Sequence, residues 1–409
     1  MNAQRFDVVI IGAGPSGSFA AALLRQQSLS VLILEREHFP RFSIGESLLP
    51  QCMEFLEQGD MLDAVNAAEF RYKNGAAFKY QSHYTCFDFS KKDCQGWDSA
   101  FQVERARFDQ VLAERSIEQG AEVRFGHAIV AFENTEESAV LDVSSDTGET
   151  YRVEAEYVLD ASGFGRVLSR LLDLETPSEF VCRSSVFTHV VDHIDDPRYD
   201  RDKVFVQIHP QHRDIWFWLI PFNRGRASIG VILPTPMLDA KTDEDVDTLR
   251  QMIEESGYLG ELLQRAEFDT PVRRITSYAC NVSRLHGDRF ALLGNAAEFL
   301  DPIFSSGVTI ALKSASLAVP LVVRELKREQ VDWEREYTQP LRQGVDTFRA
   351  FVTAWYDGRL QDIIFAADKS DEATRMICSV LAGYAWDTNN PFVRKPERLN
   401  TLAQLCRAN

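Results

Sequence analysis

Near its N-terminus the chain reads DVVIIGAGPSGSFAAALL, and this stretch constrains the fold more than any other. Residues 6–11 are a short β-branched run. Gly12, Gly14 and Gly17 follow as G-x-G-x-x-G with Pro15 and Ser16 inside the turn, a helical pattern continues to about residue 26, and a second apolar run covers 30–34. Strand, glycine turn, helix and strand make a βαβ unit. Glycine permits the tight turn and the close approach of a pyrophosphate, while the helix N-terminus supplies amide donors and the positive end of a dipole. Glu35, 23 positions after Gly12 (35 − 12) and at the end of the second strand, is placed to accept hydrogen bonds from an adenosine ribose. A tight glycine turn without a ligand is the bland alternative; the acidic residue and the two strands argue for a dinucleotide site.

Farther on the pattern changes. Residues 102–120 read as a strand end and an amphipathic helix, and 122–158 as alternating strands joined by turns such as Asp146-Thr147-Gly148. Between 181 and 233 the runs SVFTHVV, KVFVQIH, IWFWLIP and ASIGVIL predict one antiparallel sheet. In the third of these, Trp216, Trp218 and Ile220 fall on one side and Phe217 and Leu219 on the other, so both faces are expected to be buried. Helical periodicity returns at 242–256, with Thr242 as N-cap and the acidic run 243–247 at the helix start. It returns again at 308–325, a helix reached through Gly307. No repeat or linker separates these parts. The predicted fold class is mixed α/β: a Rossmann-like nucleotide-binding domain from residues 1–75, 100–175 and 275–335, interleaved with an antiparallel-sheet substrate domain from 76–99 and 176–274, and followed by a helical region over 336–409.

Composition narrows the function. Lys and Arg number 44 against 61 Asp and Glu, and the net charge of −17 argues against nucleic acid and anionic membranes as partners. An anionic ligand needs a local positive site. Seven scattered cysteines without a C-x-x-C pair fit a reducing compartment and no zinc framework. No basic leader precedes the first strand, and no apolar segment is expected to reach the roughly 20 residues that span a bilayer. A cytoplasmic protein is expected. His189 and His193 read as strand, where their spacing does not converge on a metal, so none is expected. Ser47 in GESLL lacks the G-x-S-x-G elbow of hydrolases. Trp97, Trp333, Trp355 and Trp386 are expected to pack, with Trp355 and Tyr356 also candidates for the lining of a substrate entrance.

YVLDASGFGR at 157–166 and FALLGNAAEFLDP at 290–302 each end a strand in small residues. With them the chain resembles the two-domain FAD enzymes related to para-hydroxybenzoate hydroxylase and geranylgeranyl reductase. The resemblance implies FAD contacts from Gly12, Gly14, Pro15, Ser16, Gly17, Glu35, Arg41, Ser47, Arg105, Asp160, Gly294, Asn295, Pro302, Gly307 and Val308. Asn295 departs from the family, which usually carries Asp there.

Within that superfamily FPRFSIGESLLP, RYKNGAAF, WFWLIP and DPIFSSG occur in order, and the chain is similar to flavin-dependent halogenases acting on phenol or pyrrole acyl groups held by carrier proteins. The resemblance implies FADH2 from a separate reductase, O2, a halide ion, a flavin hydroperoxide and hypohalous acid. It implies that Lys73 is the catalytic lysine, which hydrogen-bonds hypohalous acid or becomes a haloamine. It implies a halide site at the amides of Ser306 and Gly307. Trp216, Trp218 and Pro221 match the family's W-x-W-x-I-P run, which lies close to the flavin; there an apolar wall is expected to keep organic substrate from the hydroperoxide, with a buried core strand as the bland alternative. Phe304 stands where tryptophan halogenases have glutamate; without that carboxylate to stabilise a cationic ring, a more activated ring such as phenol or pyrrole is expected rather than indole. Two alternatives stay open: a non-halogenating FAD oxidoreductase, whether aromatic hydroxylase or reductase or dehydrogenase of acyl or polyene substrates, and a flavin-binding partner protein without catalysis.

Overall fold

The structure is a computed structural model that describes residues 4–178, 180–241, 243–276 and 280–408. The first strand, Gln4–Ile11, pairs in parallel with Val31–Glu35 on one side and with Thr150–Asp160 on the other. Phe290–Leu292 and Glu122–Phe125 extend the parallel set outward. Parallel strands covered on both faces read as continuous apolar runs, and Val8 to Ile11 and Val31 to Leu34 are buried accordingly. A hairpin of His127–Asn134 and Ala139–Ser145 adds antiparallel pairing to Thr150–Asp160.

The second sheet has seven strands in the order Arg273–Thr276, Arg183–Val191, Arg226–Pro234, Trp216–Pro221, Lys203–Ile208, Gly75–Tyr80, His83–Asp88. It is not wholly antiparallel as the sequence predicts, because Lys203–Ile208 runs parallel to Gly75–Tyr80, a strand supplied by the early part of the chain. Its two faces serve different cores. Trp216, Trp218, Ile220, Val204, Val206 and Ile232 join the main core, whereas Phe217, Leu219, Phe205, Ile229 and Val231 join a second one with Leu249, Met252 and Ile253. The latter three come from the helix Asp245–Glu255, which begins later than the sequence suggests; Glu244 holds the N-cap position without a side-chain cap bond, and Thr242 lies outside the described residues.

The helix Gly307–Leu326 corrects another expectation. It is 20 residues long and apolar enough to cross a membrane, but 61% of its most apolar window is buried inside the protein. It packs against Pro15–Gln26 and Gln51–Gln58 as a core helix. Downstream the chain is helical, with Gln339–Tyr356 the longest element. Trp333 stacks on Tyr157 at 5.4 Å, and Trp386 lies where a Cβ on Gly344 would come within 2.1 Å of it. Trp97, by contrast, remains 38% exposed.

Trp218 has its place because Gly230 has no side chain: a Cβ there would lie 2.3 Å from Trp218 Cζ2 and 2.6 Å from Phe187 Cβ. Gly230 pairs directly with Trp218 across the strands. Gly230→Ala is therefore expected to lower stability by about 1–3 kcal/mol through overpacking, read as a fall in the denaturant midpoint.

Candidate active site

A cleft of about 360 Å³ lies between the carboxyl ends of the parallel strands and the Trp216–Pro221 face of the second sheet. Its floor is the glycine turn. Gly12 has φ +97°, and a Cβ there would sit 2.7 Å from the carbonyl oxygen of Ala161. A Cβ on Gly17 would sit 2.0 Å from the carbonyl oxygen of Gly12, whereas one on Gly14 would meet only Arg41, at 3.7 Å. Gly14, Pro15 and Ser16 thus open onto the cleft at the head of the helix, while Gly17 packs behind it. Glu35 closes the unit: its Oε2 accepts from the amide of Ala13 at 2.9 Å and its Oε1 from that of Glu37 at 3.0 Å, and each oxygen keeps a second acceptor position.

Arg41 and Arg105 line the same end. Both are held by Asp109, which is fully buried: Arg105 Nε and Nη2 donate to its two oxygens at 2.7 and 2.9 Å, and Arg41 Nη1 donates at 2.7 Å. Sequence reasoning misses Asp109, although Arg105 and Asp109 are spaced i, i+4 on the helix Arg105–Glu118.

Asp160 and Gly294 stand behind the cleft wall, not on it. Asp160 accepts from the amides of Ser162 at 2.9 Å and Leu168 at 2.7 Å; burial pushes its pKa up, and the carboxylate holds the turn Ala161 to Gly165 that forms the wall in its place. Gly294, at φ +53°, packs on Ala311, and its neighbour Asn295 reaches the cleft. Pro302, Gly307 and Val308 also line it, as do Ser47, Trp216 and Trp218, while Ser306 is buried as N-cap of Gly307–Leu326 and Pro221 ends its strand beyond the wall.

The loop from Asp301 to Gly307 is braced from the C-terminal helices. Asp301 Oδ1 accepts from the amide of Ile303 at 3.1 Å, and Oδ2 accepts from the hydroxyl of Tyr356 at 2.8 Å. That hydroxyl accepts from Trp216 Nε1 at 2.9 Å, and the Arg183 guanidinium lies 3.6 Å from the Tyr356 ring centroid. Burial raises the Tyr356 pKa well above its ordinary value, so the phenol remains a donor. Trp355 is fully buried between Phe78 and Phe304; it is core and lines no entrance. Phe304 turns away from the cleft, edge-on to Phe351 at 6.3 Å.

Lys73 lies on Arg71–Lys73, paired with Ala100–Gln102, and is fully buried. Its Nζ donates to the carbonyl of Leu48 at 2.7 Å and sits 5.4 Å from the Phe89 ring centroid. Lys73 is not part of the wall; Leu48 directly follows Ser47, which is. Burial pushes the amine's pKa down to about 7. His189 pairs with Glu46 at 2.6 Å and His193 with Glu267 at 2.9 Å, and among the described residues no group of three or more His, Cys, Asp or Glu could hold a metal.

The wall fits an adenine dinucleotide. Gly14 leaves open space before a helix N-terminus, and Ser47 Oγ and Glu46 Oε2 are buried on the wall without a hydrogen-bond partner in the protein. FAD offers donors and acceptors for such atoms.

The buried amine also sets a pH dependence. Between about pH 7 and 10.5 the unfolded chain carries a proton on Lys73 that the folded protein lacks, so this group makes stability rise with pH across that window and fall as pH drops toward 7. Lys73→Met is expected to flatten that slope in denaturant titrations; an unchanged slope contradicts the burial.

Comparison with known proteins gives the cleft a context. A model of the FAD binding domain family matches residues 5–329. The 1H-pyrrole-2-carbonyl-[peptidyl-carrier protein] chlorinase of Pseudomonas fluorescens is 28% identical, over 94% of this chain and 90% of that protein. The flavin-dependent halogenase armH4 of Armillaria mellea is 27% identical, over 78% of this chain and 66% of that protein. Among solved structures, a flavoprotein/dehydrogenase from Cytophaga hutchinsonii superposes with a TM-score of 0.95 at 41% identity, covering 99% of both chains. The myxobacterial chondrochloren halogenase CndH superposes with a TM-score of 0.80 at 26% identity, over 98% of this chain and 97% of that one. The chain belongs to the FAD binding domain family and is an FAD-dependent enzyme that resembles flavin-dependent halogenases.

Proposed function

We propose that the protein uses FAD reduced by a separate reductase, O2 and chloride or bromide to halogenate an electron-rich phenol or pyrrole, presented as an acyl group on a carrier protein. The observation that carries this reading is Lys73, a fully buried amine one residue behind the cleft wall with a pKa of about 7. Bound FAD supplies the activation of O2 from which hypohalous acid arises. The chain's own groups do the rest. The amides of Ser306 and Gly307, at a helix N-terminus, hold the halide, since the first amides of a helix have no intrahelical acceptor. The Trp216 and Trp218 wall keeps a bulky ring from the reacting end of the cofactor. Near neutral pH the Lys73 amine is divided between ammonium, which donates to hypohalous acid, and free amine, which accepts halogen from it. The relative named as a pyrrole-carrier-protein chlorinase supports both the ring class and the carrier.

A second reading has its own observation. The Cytophaga hutchinsonii structure, 41% identical, is called a flavoprotein/dehydrogenase, which favours a non-halogenating oxidoreductase. The two readings diverge on substitution. Lys73→Ala is expected to lower halogenated product by roughly 10²–10⁴-fold, the range of a lost acid–base group, while FAD stays bound. A reduced or hydroxylated product that survives Lys73→Ala supports the second reading. Trp218→Ala is expected to raise hydrogen peroxide released, or hydroxylated product formed, per flavin oxidised; a variant that loses stability by about 3–5 kcal/mol but keeps that ratio makes Trp218 a packing residue only.

A further inference from the structure

Glu46 stands out among the groups that the proposed chemistry does not use. It sits on the cleft wall and is 1% exposed, within a short run, Gly45 to Leu48, fastened to the strand Ala100–Gln102 and the residue after it. The carbonyl of Glu46 accepts from the amide of Val103 at 2.7 Å, and the amide of Leu48 donates to Phe101 at 3.0 Å. Its Oε1 meets His189 Nε2 at 2.6 Å. Its Oε2 is buried and has no hydrogen-bond partner within the protein. A carboxylate oxygen taken out of water with its lone pairs unmet is costly, so such an atom bonds an ordered water, an ion or a ligand, and one that lines a cleft is placed to meet the molecule bound there.

The surroundings say what kind of ligand. His189 comes from Arg183–Val191 in the second sheet, so the Glu46–His189 contact joins the sheet to the dinucleotide side of the cleft. The imidazole is held by Phe42 at 5.9 Å and Phe222 at 5.2 Å between ring centroids. Burial disfavours charge on His189, but the hydrogen bond and the charge of Glu46 prevail and raise its pKa. A Cβ on Gly45 would lie 3.9 Å from Val308 Cγ2, which puts this run beside the start of Gly307–Leu326. A carboxylate oxygen is an acceptor, so its partner there is a donor.

We propose that Glu46 is a binding residue whose Oε2 accepts a hydrogen bond from an N–H or O–H of the molecule in the cleft, with His189 as the positioning residue that fixes the carboxylate. The inference rests on the cleft being the site of FAD and an electron-rich ring. Two donors share this chemistry: the ring O–H or N–H of the phenol or pyrrole, and the imide N–H of the flavin ring. A carboxylate next to the phenol or pyrrole donor also raises the electron density of the ring, which suits attack by an electrophilic halogen.

The test is Glu46→Gln, which keeps the shape and removes the anionic acceptor, measured with the full chain for FAD dissociation constant, flavin midpoint potential, and KM and kcat on a phenolic or pyrrolic thioester. If the ring donates, KM rises at least tenfold with FAD affinity unchanged, and an O- or N-methylated analogue binds poorly to the wild type and equally poorly to the variant. If the flavin imide donates, FAD affinity falls at least tenfold and the midpoint potential moves upward as a negative charge beside the flavin is lost. An FAD dissociation constant and KM within twofold of wild type, with the midpoint potential unmoved, overturn the proposal. Should Glu46→Gln not fold, Glu46→Asp, which withdraws the carboxylate by one methylene, is read in the same way. His189→Gln, which retains a donor to Oε1, is expected to give a smaller change of the same kind. A wild type that forms no halogenated product while Glu46→Gln still shifts FAD affinity or potential refutes the halogenase reading and leaves this one standing.

Discussion

Everything at the cleft depends on one steric contact, the approach of the Gly12 turn to Ala161. With φ at +97° and only 2.7 Å between a would-be Cβ and the Ala161 carbonyl, the position admits no side chain. The contact lets the ends of two parallel strands, Gln4–Ile11 and Thr150–Asp160, converge on the head of the helix Pro15–Gln26. Asp160 holds the second turn in place from behind through two amide hydrogen bonds, so the floor is set by backbone and the walls are free to differ in chemistry.

Electrostatics follow from that geometry. The chain carries a net charge of −17, and its three cleft arginines are already engaged: Asp109 takes bonds from both Arg41 and Arg105, Glu35 lies 3.9 Å from Arg41, and Arg36 pairs with Glu37 at 3.3 Å. Side-chain charge alone thus offers an anion little at this end. Backbone amides at the starts of Pro15–Gln26 and Gly307–Leu326 carry fixed partial positive charge that needs no counter-ion, which suits a pyrophosphate at one and a halide at the other. Opposite them the Trp216 and Trp218 wall is apolar, and its orientation is fixed through Tyr356, which bonds both Trp216 and Asp301. A residue near the C-terminus of a long helix thereby sets the spacing between wall and loop.

Much of this was legible in the sequence. The βαβ unit, Glu35, the two-faced strand at Trp216–Pro221 and the Gly307 helix each announce themselves by periodicity or turn chemistry, because local rules act on neighbouring residues. The parallel pairing of Gly75–Tyr80 with Lys203–Ile208 was not legible, since nothing local marks a partner more than a hundred residues away. The Arg41–Asp109 contact, the Glu46–His189 pair and the Tyr356 bridge were missed for the same reason: each is made by segments that meet only in the folded chain. Asp160 and Gly294 were expected on the wall and instead support it, because a motif fixes which residues matter without saying which side of the turn their atoms occupy.

Halogen transfer is the central claim, and product mass spectrometry reaches it directly. The enzyme, supplied with FAD, a flavin reductase, O2, bromide or chloride, and a phenolic or pyrrolic acyl group on its carrier protein, should return a product bearing the isotope doublet of the halogen supplied. A product with an added oxygen, or one reduced or desaturated, and no halogen under either halide contradicts the account.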